Sequence, residues 1–425
     1  MTTTNQRTMH TSLQHPVGFL HSFSARELGL ETTLSADSFT TEYTRMSRRL
    51  PIQSIYASTY LSTAQPFIDH LITPDNFQEI IALGRHFPGN LTSFLGFECR
   101  LTESISRADW AFAVSGADSD KKVLANLMNQ GYIPDHFLQD AVWQRVQKFA
   151  NTWANPQSAL DKRIQCFWLE FDMPQQPPTV PLPSVFFGPT HLPRGVATNT
   201  VSEYAWLTRS ALPLLKGHSI HASVKRQLTT CLQQLPENAS LFQVGVMLSR
   251  GDNENLRLFI NHLNPSQILH YLRSIGWMRD ADALATMLSD LKPLADRFVL
   301  GYDITPKGIG PRLGLECSFQ EDNYHQEPRW EPFLDYLVSK KLCLPEKRDA
   351  LLRFPGQESN GTWDASIMRP LASISHTLPD LLSSTIVRYI SHIKIVYENG
   401  KAFEAKAYPA VRLFKPSESS LYEFH

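Results

Sequence analysis

Glutamate recurs inside short apolar runs of this chain, as Glu98 in FEC, Glu170 in LEF, Glu316 in LEC and Glu404 in FEA. Five cations are set in similar runs: Arg100, Arg257, Arg312, Lys394 and Lys406. Alternation of apolar and polar residues over such lengths marks a half-buried strand, and alternate residues point to opposite faces. Charges on the polar face of several neighbouring strands therefore share one space. Converging cations suit an anion, most simply a diphosphate. Converging carboxylates accept protons or hold a divalent cation, with His392 as a further nitrogen ligand. Unpaired charges are costly to bury. The plain alternative to either chemistry is a solvated space, or ion pairs between the two sets.

No local signature points elsewhere. The chain has no GxxxxGK[ST] phosphate loop, no GxGxxG turn, no HExxH and no GxSxG elbow. It also lacks an aspartate-rich DDxxD run. The 425 residues include 40 basic and 41 acidic side chains, for a net charge of -1. That balance argues against a general nucleic-acid binder. Hydrophobic residues make up 42%, enough for a sizeable core. No apolar run approaches the length of about 18 residues that spans a membrane. The first residues, MTTTNQRTMHTSLQHP, lack an apolar signal-peptide core. Five scattered cysteines without a CxxC pair indicate neither a zinc site nor a disulfide framework. A reducing cytoplasm is the expected setting. Cys99 and Cys317 occupy equivalent places in two similar stretches and read as buried structural residues.

The elements that must position the charges repeat. Strand pairs are expected at 94–101 with 110–114, 164–173 with 184–188, 241–250 with 256–263, 297–305 with 311–319, and 390–398 with 402–411. Helical segments separate them, beginning with 38–87 and ending with 329–354. Asn399-Gly400 is the strongest hairpin signal in the chain. LGFECRL (95–101) and LGLECSF (313–319) are alike in sequence, as duplicated units are. Hairpins separated by helix pairs do not suit a parallel sheet. They suit an α+β architecture: a closed ten-stranded antiparallel barrel of five ααββ units, wrapped by an outer ring of helices. Residues 1–36 read as a loosely ordered extension, 37–412 as the barrel domain and 413–425 as a tail.

On each strand the more apolar face should pack on helices. Leu95, Phe97, Cys99 and Leu101 then point out, and Gly96, Glu98 and Arg100 point into the lumen. The same rule sends Trp168, Glu170 and Asp172 inward, then Gln243, Gly245, Met247 and Ser249, then Arg257, Phe259 and Asn261. Asp303, Arg312, Gly314, Glu316 and Ser318 follow. His392, Lys394, Glu404, Lys406 and Tyr408 complete the set. A strand misread by one residue would exchange its faces.

In element order and alternation, residues 38–412 resemble the prenyltransferase barrel, or ABBA fold. Lys406-Ala407-Tyr408 is similar to that family's recurrent Lys-x-Tyr arrangement. The resemblance implies transfer of an allylic prenyl group from its diphosphate to an aromatic or peptide side-chain acceptor inside the barrel. It implies diphosphate binding by Arg100, Arg257, Arg312, Lys394, Lys406 and Tyr408. It implies an acceptor-side acid in Glu98, able to hydrogen-bond or deprotonate the nucleophile. Trp168, Glu170, Phe259, Glu316, His392 and Glu404 would line the acceptor chamber. Aromatic faces would shield the allylic cation. No metal-ligand set is expected, and magnesium is the one cofactor left open.

Two other functions fit the same barrel: a peptide-modifying or metal-assisted hydrolase using the lumen carboxylates, and a non-catalytic barrel binding a small molecule or peptide. Prenyl transfer requires the five cations free of acid partners, and an aromatic wall. Metal chemistry requires three or more carboxylate or His groups within coordination distance.

Overall fold

Asn399 and Gly400 take φ of 53° and 78°, the left-handed pair that a two-residue hairpin turn demands. They join the two longest strands among the described residues, Thr385–Glu398 and Lys401–Phe414. The structure is a computed structural model. It describes residues 56–414 apart from 92–93, 117, 130–131, 191–202, 252–253, 278, 280, 320–326 and 360–384. The expected extension 1–36, the first helical segment up to residue 55 and the tail beyond 414 lie outside the described residues.

The strands are β1 (Phe94–Arg100), β2 (Ala108–Ser115), β3 (Ile164–Phe171), β4 (Pro183–Pro189), β5 (Ser240–Val246), β6 (Leu256–Asn261), β7 (Arg297–Thr305), β8 (Gly308–Ser318), β9 (Gly356–Ser359), β10 (Thr385–Glu398) and β11 (Lys401–Phe414). β1 to β8 pair in sequence order, β8 pairs with β10, β10 with β11, and β11 returns to β1. Every pairing is antiparallel, so ten strands close a barrel. This is the architecture expected from the alternating pattern. The eleventh strand, β9, was not expected. It pairs with Thr385–Arg388 of β10, beyond the stretch of β10 that meets β8.

The helices lie where the spacing puts them. Pro74–Gly84 begins at Thr73, whose Oγ1 accepts from the Asn76 N–H at 3.3 Å. Ala141–Ala154 begins at Asp140, whose carboxylate accepts from the Val142 N–H at 2.7 Å. Its apolar stripe, Trp143, Val146, Phe149, Ala150 and Trp153, is fully buried. Phe149 stacks on Phe167 of β3 with centroids 5.1 Å apart. Outward strand residues such as Phe97, Phe112, Phe167 and Leu258 join these helices in one continuous core around the barrel. Phe186, Met247 and Phe259 form a separate apolar cluster inside it. The five cysteines are buried and free, as expected for Cys99 and Cys317. Among the described residues no helix is long and apolar enough to cross a membrane.

Candidate active site in the barrel lumen

The strand register lines up the lumen side chains. Lys394 of β10 lies beside Glu316 of β8 on one side and Lys406 of β11 on the other. Lys406 in turn lies beside Arg100 of β1. A cavity of about 220 Å³ occupies the interior, and its wall includes Glu98, Glu170, Glu316, His392, Lys394 and Lys406. Trp168, Arg257, Phe259, Arg312, Glu404 and Tyr408 also face it. Of the residues expected on the lumen faces, Asp172, Gly245, Met247, Ser249 and Asn261 are off this wall; Met247 and Ser249 lie beyond the strand, because β5 ends at Val246 and Leu248–Arg250 form a 3-10 turn. Arg100 is the exception among the expected site residues: it stands at the end of β1, outside the cavity wall.

At the centre, Lys406 Nζ donates to Glu98 Oε1 at 2.6 Å, and the Tyr408 hydroxyl donates to Glu98 Oε2. Burial alone would raise the Glu98 carboxyl. The charges of Lys406 and Lys394, with these two hydrogen bonds, outweigh it and hold Glu98 well below the usual carboxylate range. Tyr408 is pushed well above the usual phenol value by burial and by the Glu98, Glu170 and Glu316 charges. The His392 ring stacks on Tyr408, with centroids 4.0 Å apart and planes 18° from parallel. Burial lowers its pKa, so the imidazole is neutral at pH 7. Lys394 pairs with Glu316 at 3.2 Å and lies over the Phe259 ring, 4.8 Å from its centroid.

Nearer one end of the barrel the charges form a second tier. Arg257 grips Asp303 with two hydrogen bonds, of 2.8 and 3.1 Å. Arg250 grips Asp172 likewise, at 3.1 and 2.8 Å, and Ser249 Oγ donates to the same carboxylate at 2.7 Å. Arg100 donates to Asp109 at 2.8 Å, and Arg312 to Glu398 at 3.2 Å. All five expected cations therefore have acid partners. The expected cluster of free cations is not what the lumen contains.

The other end is aromatic. Phe94 meets Trp168 edge to face at 4.8 Å, and Phe186 meets Phe259 likewise at 5.9 Å. The last two of these rings lie over glycines of the neighbouring strands. A Cβ on Gly245 would stand 2.5 Å from the Phe186 ring, and one on Gly301 2.9 Å from Phe259. The register sets each ring directly opposite its glycine. The aromatic wall is fuller than Trp168, Phe186, Phe259 and Tyr408 alone. Phe94 follows from the parity of Gly96 and Glu98. Phe242 and Tyr389 face the cavity because one-residue bulges interrupt β5 between Leu241 and Gln243 and β10 between Ile390 and Ile393. Asp109 and Arg250 are further charged residues that the expected site lacked.

Among the described residues, no three His, Cys, Asp or Glu side chains come together in a group able to hold a metal ion. The carboxylate centre required for metal-assisted hydrolysis is thus not formed by these groups; each acid named above except Glu170 faces a cation instead.

No family model matches the chain, and no curated protein matches it in sequence. Its structure is similar to that of the prenyltransferase PriB in its apo form, with 13% identity and a TM-score of 0.45, over 85% of this chain and 95% of that one. It is also similar to 5-dimethylallyltryptophan synthase from Streptomyces coelicolor, with 13% identity and a TM-score of 0.39, over 87% and 97% of the two chains. A third likeness is to AnaPT from Neosartorya fischeri, with 12% identity and a TM-score of 0.41, over 85% and 92%. At these scores the likeness carries no weight for the chemistry, and the closed barrel rests on its own strand pairing.

Proposed function

We propose that the protein is a transferase that moves an allylic prenyl group from its diphosphate to an aromatic or peptide side-chain acceptor within the lumen. The observation that carries this reading is the layering of the cavity. Lys394 and Lys406 stand side by side with Tyr408, and the wall beyond them is built of Phe259, Phe186, Trp168 and Phe94. An amphiphilic anion fits such a space, with its charged head at the cations and its hydrocarbon against the rings.

The ion pairs define how the head would bind. A diphosphate brings more charge than one carboxylate, so it would take Lys406, Lys394 and Arg257 over from Glu98, Glu316 and Asp303 by exchange. The allylic C–O bond then breaks, with its electron pair leaving on the diphosphate, which the cations stabilise. Aromatic faces stabilise the positive carbon until the acceptor attacks it. Glu98, no longer neutralised by Lys406, gains proton affinity as the donor binds and takes the proton lost by the acceptor. No step above is routed through magnesium.

A second reading is favoured by the pairing of all five cations: a charge-balanced barrel that binds a ligand without catalysis. One experiment separates the two. The purified protein is titrated calorimetrically with a non-reactive analogue of dimethylallyl or geranyl diphosphate, with and without magnesium. Micromolar binding that is lost in Lys406→Ala and Arg257→Ala supports the transferase. The absence of binding to either analogue overturns it and leaves the binding barrel.

A further inference from the structure

Glu316 stands between two groups that can carry positive charge. Its Oε1 meets Lys394 at 3.2 Å, and its Oε2 lies 3.9 Å from His392 Nε2. Among the described residues, Glu316 is the one acid within ion-pair distance of Lys394. The bulge of β10 between Ile390 and Ile393 brings Ser391 and His392 both to the cavity wall. His392 Nδ1 lies 3.2 Å from Ser391 Oγ, so each ring nitrogen already faces an oxygen. The stack on Tyr408 fixes the plane of the ring. At 3.9 Å the Nε2 contact is too long for a hydrogen bond, and a neutral imidazole has no charge to close it. The seat suits an imidazolium, which donates from both nitrogens.

The charged and titratable groups facing His392 are Glu316 of β8, Lys394 of its own strand, Glu98 of β1 and Tyr408 of β11. Lys406, also on β11, is held by Glu98. Burial lowers the His392 pKa; Glu316 and Glu98 oppose the fall, and Lys394 adds to it. A single carboxylate neutralises one cation, and a buried charge left unpaired is costly. With His392 neutral, Glu316 belongs to Lys394. An anion that draws Lys394 away leaves Glu316 without a partner and removes the ammonium that opposes charge on the ring. A proton from solvent then settles on His392, and Nε2–H closes on Oε2. We infer that His392 is a positioning residue for the anion: it takes up a proton as Lys394 turns to the diphosphate, and it holds Glu316 in place of Lys394. Linkage makes the effect reciprocal, so protonated His392 frees Lys394 and strengthens anion binding.

The inference rests on the transferase reading in taking the anion to be the donor's diphosphate. Inorganic diphosphate tests it without a prenyl chain. The full-length chain and its His392→Gln variant are titrated calorimetrically with it at pH 8 and at pH 5.5. Relative to the variant, the parent should gain about five-fold in affinity between the two pH values, the low end of the usual coupling between two sites. Ionisation of the diphosphate itself is common to both proteins and drops out of that ratio. So does titration of Glu170, which burial and the charge of Glu98 push up to about 7. His392→Phe, which keeps a ring against Tyr408 but cannot take a proton, should match His392→Gln. In Glu316→Gln, replacing His392 should change the ratio by less than about two-fold, because no carboxylate is left to pass between the cations. Thermal melting checks that each variant is folded. A ratio constant with pH, a gain that His392→Phe retains, or a gain that persists in Glu316→Gln would each overturn the inference, as would no binding of diphosphate at either pH. Diphosphate binding with a constant ratio would leave prenyl transfer standing and remove the proton coupling. A His392-dependent gain without binding of the prenyl diphosphate analogues would keep the coupling in a barrel that is not a prenyltransferase.

Discussion

Glu98 and Glu170 are carboxyls of one lumen with opposite electrostatics, and they make opposite predictions. Glu98 is held low by Lys406 and Lys394, so its pairing stabilises the fold at neutral pH. That contribution is present above the unfolded-state value of about 4.3 and is lost as pH falls through the depressed folded value. Lys406→Met removes the hydrogen-bonded partner and should cost about 3–5 kcal/mol at pH 7, read by urea unfolding, with a smaller cost at pH 3. A cost independent of pH would contradict the ion pair. Glu170 titrates near 7 in the folded protein, so the native state holds a proton that the unfolded state has already released. Stability is therefore lost as pH rises from about 4.3 towards 7. Glu170→Gln should relieve that loss. The variant should exceed the parent by up to about 3 kcal/mol at pH 8 and match it at pH 4, since each tenfold change in proton affinity between the two states is worth about 1.4 kcal/mol. No gain at pH 8 would show that the carboxyl has a partner in solution. That Glu98 and Glu170 face one lumen was legible from alternation. Their difference was not, because it depends on the charged side chains that closure brings across the strands: Lys406, 308 residues along the chain, for Glu98, and no ion-paired or hydrogen-bonded partner among the described residues for Glu170.

At the scale of the strand, glycine decides where the lumen side chains lie. Gly245 faces the Phe186 ring so closely that an added Cβ would meet two ring carbons, at 2.5 and 2.6 Å. Phe186 is itself packed against Phe259, so withdrawal of the ring would break that contact. Gly245→Ala should destabilise by about 1–3 kcal/mol, the usual cost of overpacking, and lower the melting temperature. At Gly314 the added Cβ would meet Lys394 Cε at 2.7 Å, the far end of a flexible chain. Gly314→Ala should leave the melting temperature nearly unchanged but weaken binding of the diphosphate analogue by moving the ammonium. Equal melting shifts for the two variants would refute the distinction. The ten barrel strands were readable because turn residues bound short apolar runs, of which FLGFECRL (94–101) alternates strictly. β9 was not: GQES has no alternation, and it forms only because β10 extends past β8 and offers Thr385–Arg388 as an edge. Arg388 fixes it, paired with Glu358 and 3.6 Å over the Phe67 ring. Bulges were equally hidden, since one inserted residue leaves the apolar count of a strand unchanged while turning Phe242 and Tyr389 towards the cavity.

Across the whole molecule, closure depends on the two ends of the described chain. β1 pairs with β11, so Leu95 meets Val411 and Arg100 meets Lys406 across more than 300 residues of sequence. The repeat pattern indicated five units and hence a ring. Charge pairing was beyond its reach, because a sequence shows which face a cation takes but not which acid a closed ring brings to it. The same closure makes the fifth hairpin indispensable. Its removal would take Lys394, Lys406 and Tyr408 from the site, and would also leave β1 and β8 as open edges with unpaired N–H and C=O groups. Exposed edges of this kind recruit other chains. A chain ending at residue 384 should therefore elute as soluble aggregate on size-exclusion chromatography and melt without a cooperative transition, whereas the full chain should be discrete and cooperative. The outer core cannot compensate, because its helices pack on a surface that exists only when the ring is shut. A monomeric truncated chain with a sharp melt would mean that four units close on themselves. In that event β10 and β11 would be a functional insert carrying the lumen cations, and not a structural stave of the barrel.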